Sequence, residues 1–284
     1  MRAVYATDLS AAIETAIGSQ TCLECLQRYG IDAIDLVTVT SPNVTTGMPG
    51  SDVGGRTKQA LARQRRLLED EGFTVETHVL RGTPHRRING LADRVNADLI
   101  IVGSRGQSPL EQRFIGGTAR NVARTAVRPL LVQRIVEGEK EPEVANEHLF
   151  QRVLYATDFS ENAERAFDEF EQLQSATEEA TLLHVAPPER RAGSEGDTDA
   201  DAEAQLAELA DRLESLGIET RTVVRAGEAA DEILAAEEEF DPTTILMGSR
   251  GQGPIRRLLL GSTSETVTAR ARSNVLLVPP SKTR

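Results

Sequence analysis

Tryptophan is absent from this chain of 284 residues, and aromatic side chains make up only 4% of it. Few rings mean few platforms for stacking bases, so a binder of single-stranded nucleic acid is not expected. Cysteine is nearly absent as well. The two present, Cys22 and Cys25, cannot build a disulfide framework and suit a reducing cytoplasm. With only four histidines, scattered along the chain, a zinc site is not expected. No apolar run approaches the ~18 residues of a membrane span. The N-terminus runs straight into a strand-like segment, with no basic region before an apolar stretch, so no signal peptide is expected. Lysine is scarce too: only Lys58, Lys140 and Lys282 stand among 32 basic residues.

Acid is plentiful but unevenly spread. The net charge is −12, yet residues 1–140 carry 18 basic groups against 15 acidic, and residues 141–284 carry 14 against 29. The second half should repel nucleic acid and anionic membrane. The first half is too weakly basic to point to nucleic acid. These features predict a cytoplasmic protein with neither a nucleic-acid nor a membrane partner.

The chain also says one thing twice. Tyr5-Ala-Thr-Asp8 returns as Tyr155-Ala-Thr-Asp158, and Gly103-Ser-Arg-Gly106 returns as Gly248-Ser-Arg-Gly251. The offsets are 150 and 145 residues, so each half reads as a complete domain. We place domain 1 at residues 1–136, a charged linker with Pro142 and no apolar periodicity at 137–150, and domain 2 at 151–284.

Each half alternates short apolar strands with helical stretches. In the first, strands are expected at Ala3–Thr7, Ala33–Thr40, Phe73–Leu80, Asp98–Val102 and Pro129–Arg134. One helix should run from an N-cap at Ser10 to about Tyr29, and others from about Gly55, Pro84 and Thr118. The second half repeats this order, with its first helix over about 160–176. The fold class is therefore α/β: two tandem domains, each a five-stranded parallel sheet sandwiched by helices. Such sheets bind ligands at the carboxyl ends of their strands, beside the point where strand order reverses. Loops leave those ends after Thr7, Val39 and Val102, and again after Thr157, Val185 and Met247.

One of these loops has the chemistry of a phosphate cradle. Gly248 and Gly251 are followed, nine residues on, by Gly261-Ser262-Thr263 at a helix start. Glycines admit close backbone approach or positive φ. Helix N-terminal amides attract anions, and the hydroxyls of Ser262 and Thr263 can add bonds to phosphate oxygens. The pattern is neither a P-loop nor a dinucleotide fingerprint.

This spacing resembles the signature of the nucleotide-binding branch of the universal stress protein family. The Ala-Thr-Asp-x-Ser after the first strand, Leu182-Leu-His-Val185, Ala97 through Gly106 and Pro129-Leu-Leu-Val132 are similar to family motifs in the same order. The resemblance covers both halves in register and implies an adenine-nucleotide alpha-hydrolase-like fold holding ATP, with or without Mg2+. It carries the nucleoside-facing acid and its neighbour to Thr7 and Asp8, and to Thr157 and Asp158. The adenine-side backbone maps to Val39 and Val185. The phosphate loop maps to Met247, Gly248, Arg250, Gly251, Gly261, Ser262 and Thr263. In the first copy it maps to Gly103, Arg105, Gly106, Gly116, Gly117 and Thr118. There Gly117 stands in place of Ser262, so the first site should bind more weakly by one hydrogen bond to a charged group, about 1.5–3 kcal/mol.

Each residue also has a plainer reading. Asp8 and Asp158 precede an N-cap serine and would favour the positive end of the next helix. Ser262-Thr-Ser-Glu265 fits a capping box. Cys22 and Cys25 have the spacing of a redox pair, but a mid-helix position on a buried face marks structural thiols. His184 reads as a packed strand residue. Glu237-Glu-Glu239 and the acidic stretch 195–214 read as solvated helix faces.

The expected function is an ATP-binding stress-response or regulatory protein, not an enzyme, with slow ATP hydrolysis left open. The alternative is a scaffold of the same fold that pairs without nucleotide. The resemblance implies pairing through the last strand, which a tandem chain could satisfy internally as a pseudo-dimer and repeat as a homodimer. The protein partner is not named by the sequence. An adenylating enzyme ranks last, because its His-x-Gly-His or Ser-Gly-Gly-x-Asp-Ser motif is missing.

Overall fold

Short β-branched and apolar runs, each stopped by a turn residue, form the strands. The computed structural model describes residues 1–40, 53–104, 115–137, 142–187, 197–251 and 260–281. The chain divides into two units, Met1–Glu147 and His148–Arg284.

Unit 1 opens with β1 (Arg2–Ala6), α1 (Ala11–Gly18), α2 (Gln20–Arg28), β2 (Ala33–Thr40) and α3 (Val53–Asp70). It continues with β3 (Thr74–Arg81), α4 (Pro84–Arg94), β4 (Leu99–Gly103), α5 (Gly117–Thr125) and β5 (Leu130–Gln133). The strands pair in parallel in the order β5-β4-β1-β2-β3. The chain steps outward from β1 to β3, then back across to β4 and β5. Right-handed crossovers therefore put α1 to α3 on one face and α4 and α5 on the other. The order reverses between β1 and β4.

Unit 2 is built the same way. Its elements are β8 (Arg152–Thr157), α6 (Glu161–Phe167), α7 (Phe170–Leu173), β9 (Glu179–Ala186), α8 (Asp197–Ser215), β10 (Glu219–Ala226), α9 (Ala229–Phe240), β11 (Thr244–Gly248), α10 (Ser262–Arg270) and β12 (Asn274–Val278). The parallel order is β10-β9-β8-β11-β12, reversing between β8 and β11.

Three local expectations need correction. The helix predicted from Ser10 to Tyr29 breaks at Gly18-Ser19, where Ser19 turns extended and its hydroxyl accepts the Cys22 N–H at 3.4 Å to cap a new helix. Serine competes with the helix for its own backbone, and here it wins. In unit 2 the matching helix tightens instead, through the i→i+3 bonds Glu169 N–H to Ala166 O and Glu171 N–H to Asp168 O. The segment read as a linker without apolar periodicity contains a strand: β6 (Ile135–Glu137) and β7 (Pro142–Val144) pair antiparallel.

The helices stop where glycine allows it. Gly72 has φ of 91° after α3 and Gly217 has 81° after α8. The next residue, Phe73 or Ile218, turns back into the core and donates its N–H to Leu68 or Leu213. Each sheet centre is fully covered: Leu99, Ile100 and Leu130 in unit 1, and Ile245, Leu246 and Leu276 in unit 2, are inaccessible. Among the described residues no helix is long and apolar enough to cross a membrane.

Candidate functional site

The first strand of each unit ends in the same turn. Thr157 closes β8, and its Oγ1 accepts the Phe159 N–H at 2.9 Å. Asp158 Oδ1 accepts the Ser160 N–H at 3.0 Å. Ser160 caps α6 by accepting the Ala163 N–H at 3.2 Å. In unit 1 Thr7, Asp8 and Ser10 make the same bonds to Leu9, Ser10 and Ile13 at 2.9, 3.0 and 3.4 Å. The residue between, Leu9 or Phe159, sits at a left-handed φ of 63° or 56° that branched and bulky side chains avoid. Both units hold the disfavoured turn, and it aims the aspartate.

The two oxygens of Asp158 have different surroundings. Oδ1 serves the turn before the helix, while Oδ2 faces the glycine loop: a Cβ on Gly251 would lie 2.7 Å from it. Gly248 is glycine for a similar reason, since a Cβ there would come within 3.0 Å of the Asn162 carbonyl oxygen. None of the described loop glycines takes positive φ. Close approach, not backbone handedness, is what Gly248 and Gly251 use.

The loop is tied down at both ends. Ser249 N–H donates to Val278 O at 2.8 Å, and Gly261 N–H to Ser249 O at 2.9 Å. Ser264 Oγ donates to Gly248 O at 2.9 Å inside the protein. Gly261 is the N-cap of α10 and no side chain caps the helix. The capping-box reading of Ser262 fails for that reason, because Ser262 is the first helical residue and is exposed. An uncapped helix start presents its first amides to whatever lies in front of it.

What lies in front is a cavity of about 630 Å³, well within the ~300–1,000 Å³ range of small-ligand sites. Every residue predicted for the second copy lines it: Thr157, Asp158, Val185, Met247, Gly248, Arg250, Gly251, Gly261, Ser262 and Thr263. It opens at the carboxyl ends of β8, β9 and β11, where the strand order reverses.

Unit 1 places its predicted residues on matching elements. Thr7 and Asp8 hold the turn, Val39 lies near the end of β2, and Gly103 ends β4. Gly116 is the N-cap of α5, and Gly117 and Thr118 are its first, exposed residues. Gly116 N–H donates to Ser104 O at 2.8 Å, as Gly261 does to Ser249. Arg105 and Gly106 lie outside the described residues.

Residues 1–134 and 149–279 both match the model of the universal stress protein family. The chain belongs to that family. A universal stress protein from Archaeoglobus fulgidus has a solved structure that aligns over 98% of both chains, with a TM-score of 0.73 and 26% identity. A functionally unknown protein from Pseudomonas aeruginosa shares the fold at a TM-score of 0.67 and 15% identity, over 98% of this chain and 92% of its own. Two universal stress proteins of Methanocaldococcus jannaschii are each 33% identical over 75 residues, 26% of this chain. Those matches span 44% and 46% of the relatives' own length.

Sequence reasoning missed the apolar wall of this universal stress protein's cavity. Leu183 and Pro187 from the β9 end, with Ala229 and Ile233 from α9, line it. Small apolar residues carry no motif, but the start of α9 just after a strand end was a usable signal. Other expectations shift. Cys22 lies in the first turn of α2, not mid-helix, yet burial pushes its thiol up to about 11, so it stays protonated. His184 is half-buried, its Nδ1 3.0 Å from Thr157 O and its ring stacked on Phe159 at 4.5 Å. Glu237 is not solvated: it is buried and accepts the Arg272 and Ser273 N–H groups at 2.8 and 2.6 Å.

Proposed function

We propose that unit 2 binds an adenine nucleotide, ATP in the first instance, and that the protein acts as a nucleotide-dependent regulator and not as a metabolic enzyme. The observation that carries this reading is the convergence of all the second copy's motif residues on one cavity at a strand-order reversal. The uncapped start of α10 and the Arg250 side of the cavity suit phosphates. The wall of Leu183, Pro187, Ala229 and Ile233 suits a flat apolar base. Asp158 lies between, in reach of sugar hydroxyls. Mg2+ would arrive on the phosphates, with the Ser262 and Thr263 hydroxyls as added oxygen donors. Turnover, if any, should stay below about 1 s⁻¹, the low end for ordinary enzymes.

Calorimetric titration with Mg-ATP, ADP, AMP and cyclic AMP tests this, using wild type and Gly251→Ala. Gly251 is exposed, so the variant should fold, but its new methyl displaces the Asp158 carboxylate. Wild type should bind one of these nucleotides, and the variant should bind it about tenfold or more weakly. A wild-type protein that binds none of them contradicts the proposal.

A further inference from the structure

Asn162 is a buried amide at the second residue of α6, just outside the repeated Tyr-Ala-Thr-Asp motif. Both ends of its side chain are used across the fold. Nδ2 donates to Val278 O at 2.9 Å, at the end of β12. Oδ1 accepts the Arg250 N–H at 3.0 Å, inside the glycine loop. Its own backbone packs so closely on Gly248 that a Cβ there would meet the carbonyl carbon at 3.1 Å. One residue thus joins the helix after Asp158, the last strand and the start of the loop.

The repeat supplies a control. The N-cap serines Ser10 and Ser160 align the two helices, and Ala12 occupies the place of Asn162. Alanine can make neither bond. The turn, the aspartate and the helix cap are kept in both copies, so the helix itself does not need an amide at this position.

We propose that Asn162 is a positioning residue that holds the Arg250 backbone in its ligand-ready form before nucleotide arrives, and that Ala12 leaves the first domain without this clamp. The inference rests on the nucleotide reading of the cavity for its effect on binding. A loop fixed in advance loses less freedom on binding, and affinity rises by that amount. The pinned Arg250 N–H also fixes where the chain turns between Gly248 and Gly251, and so where the Asp158 carboxylate and the loop face each other.

The test uses the full chain and two variants, Asn162→Ala and Asn162→Leu. Leucine refills the space without either polar atom, so it separates packing from bonding. Hydrogen exchange is read at the Arg250 amide in nucleotide-free protein, relative to the Met247 amide in β11, and Mg-ATP affinity is measured alongside. Both variants should expose the Arg250 amide by about tenfold or more relative to Met247, and both should bind Mg-ATP about tenfold more weakly, the loss of one net hydrogen bond. Arg250 protection and affinity restored by leucine would show a packing role and overturn the proposal. So would unchanged affinity in both variants. If wild type binds none of Mg-ATP, ADP, AMP and cyclic AMP, the nucleotide reading itself falls, while exchange at Arg250 still decides for or against the clamp.

Discussion

At the residue scale, Asp158 shows how one side chain can hold a turn and still border a cavity. Its two oxygens face different ways, one to the Ser160 N–H and one to Gly251. Sequence alone offers the two roles as rivals because it cannot show that one carboxylate oxygen holds the turn while the other faces the glycine loop. Cys22 shows the reverse case. Its spacing to Cys25 suggests redox chemistry, and its place near a helix start would support that, but burial decides. The thiol is pushed up from 9.0 to about 11 in the folded chain. A raised thiol pKa means that folding favours the neutral form. The contribution is complete below about 9 and is lost as pH rises towards about 11. Unit 1 should therefore weaken over that window, and denaturant melts of wild type and Cys22→Ala should show a steeper alkaline loss for wild type. Equal slopes would contradict the burial argument.

At the scale of elements, strands and capped helices were legible because their signals are local. Alternation and apolar runs mark β1 to β5 and β8 to β12, and Gly72 marks the end of α3. The break at Ser19, the strand Pro142–Val144 and the burial of Glu237 were not legible, since each depends on a partner distant in sequence or on a competing backbone bond. The paired helices α5 and α10 carry a prediction. Both begin after an N-cap glycine with no capping side chain, and they differ at the next residue, Gly117 against Ser262. A Cβ at Gly117 would meet nothing within 4 Å, so serine fits there without strain. Wild-type protein should bind nucleotide more weakly in unit 1 than in unit 2. Gly117→Ser should narrow the gap by about tenfold or more, one hydrogen bond to a charged group. Two-site calorimetry reads this, and an unchanged gap would remove the hydroxyl from the explanation.

At the scale of the molecule, duplication makes the sequence its own comparison. Features held in both copies, such as the Thr-Asp turn with its left-handed Leu9 or Phe159, mark the common scaffold. Features held in one copy, such as Ser262 and Asn162, mark where the two sites differ. The cavity in unit 2 gathers residues from the ends of β8, β9 and β11, far apart in sequence, and the repeat order was enough to place them together. Its apolar wall was not, because Ala229 and Ile233 look like any helix residues facing a core. The proposed role of the molecule turns on whether this cavity holds an adenine nucleotide. The most direct measurement is the nucleotide released by acid from freshly purified protein and identified by chromatography, beside a Ser262→Ala, Gly251→Ala variant. Wild type should release ATP or a related adenine nucleotide, and the variant markedly less. An empty wild type that also takes up nothing on incubation with Mg-ATP, ADP, AMP or cyclic AMP would rule that out.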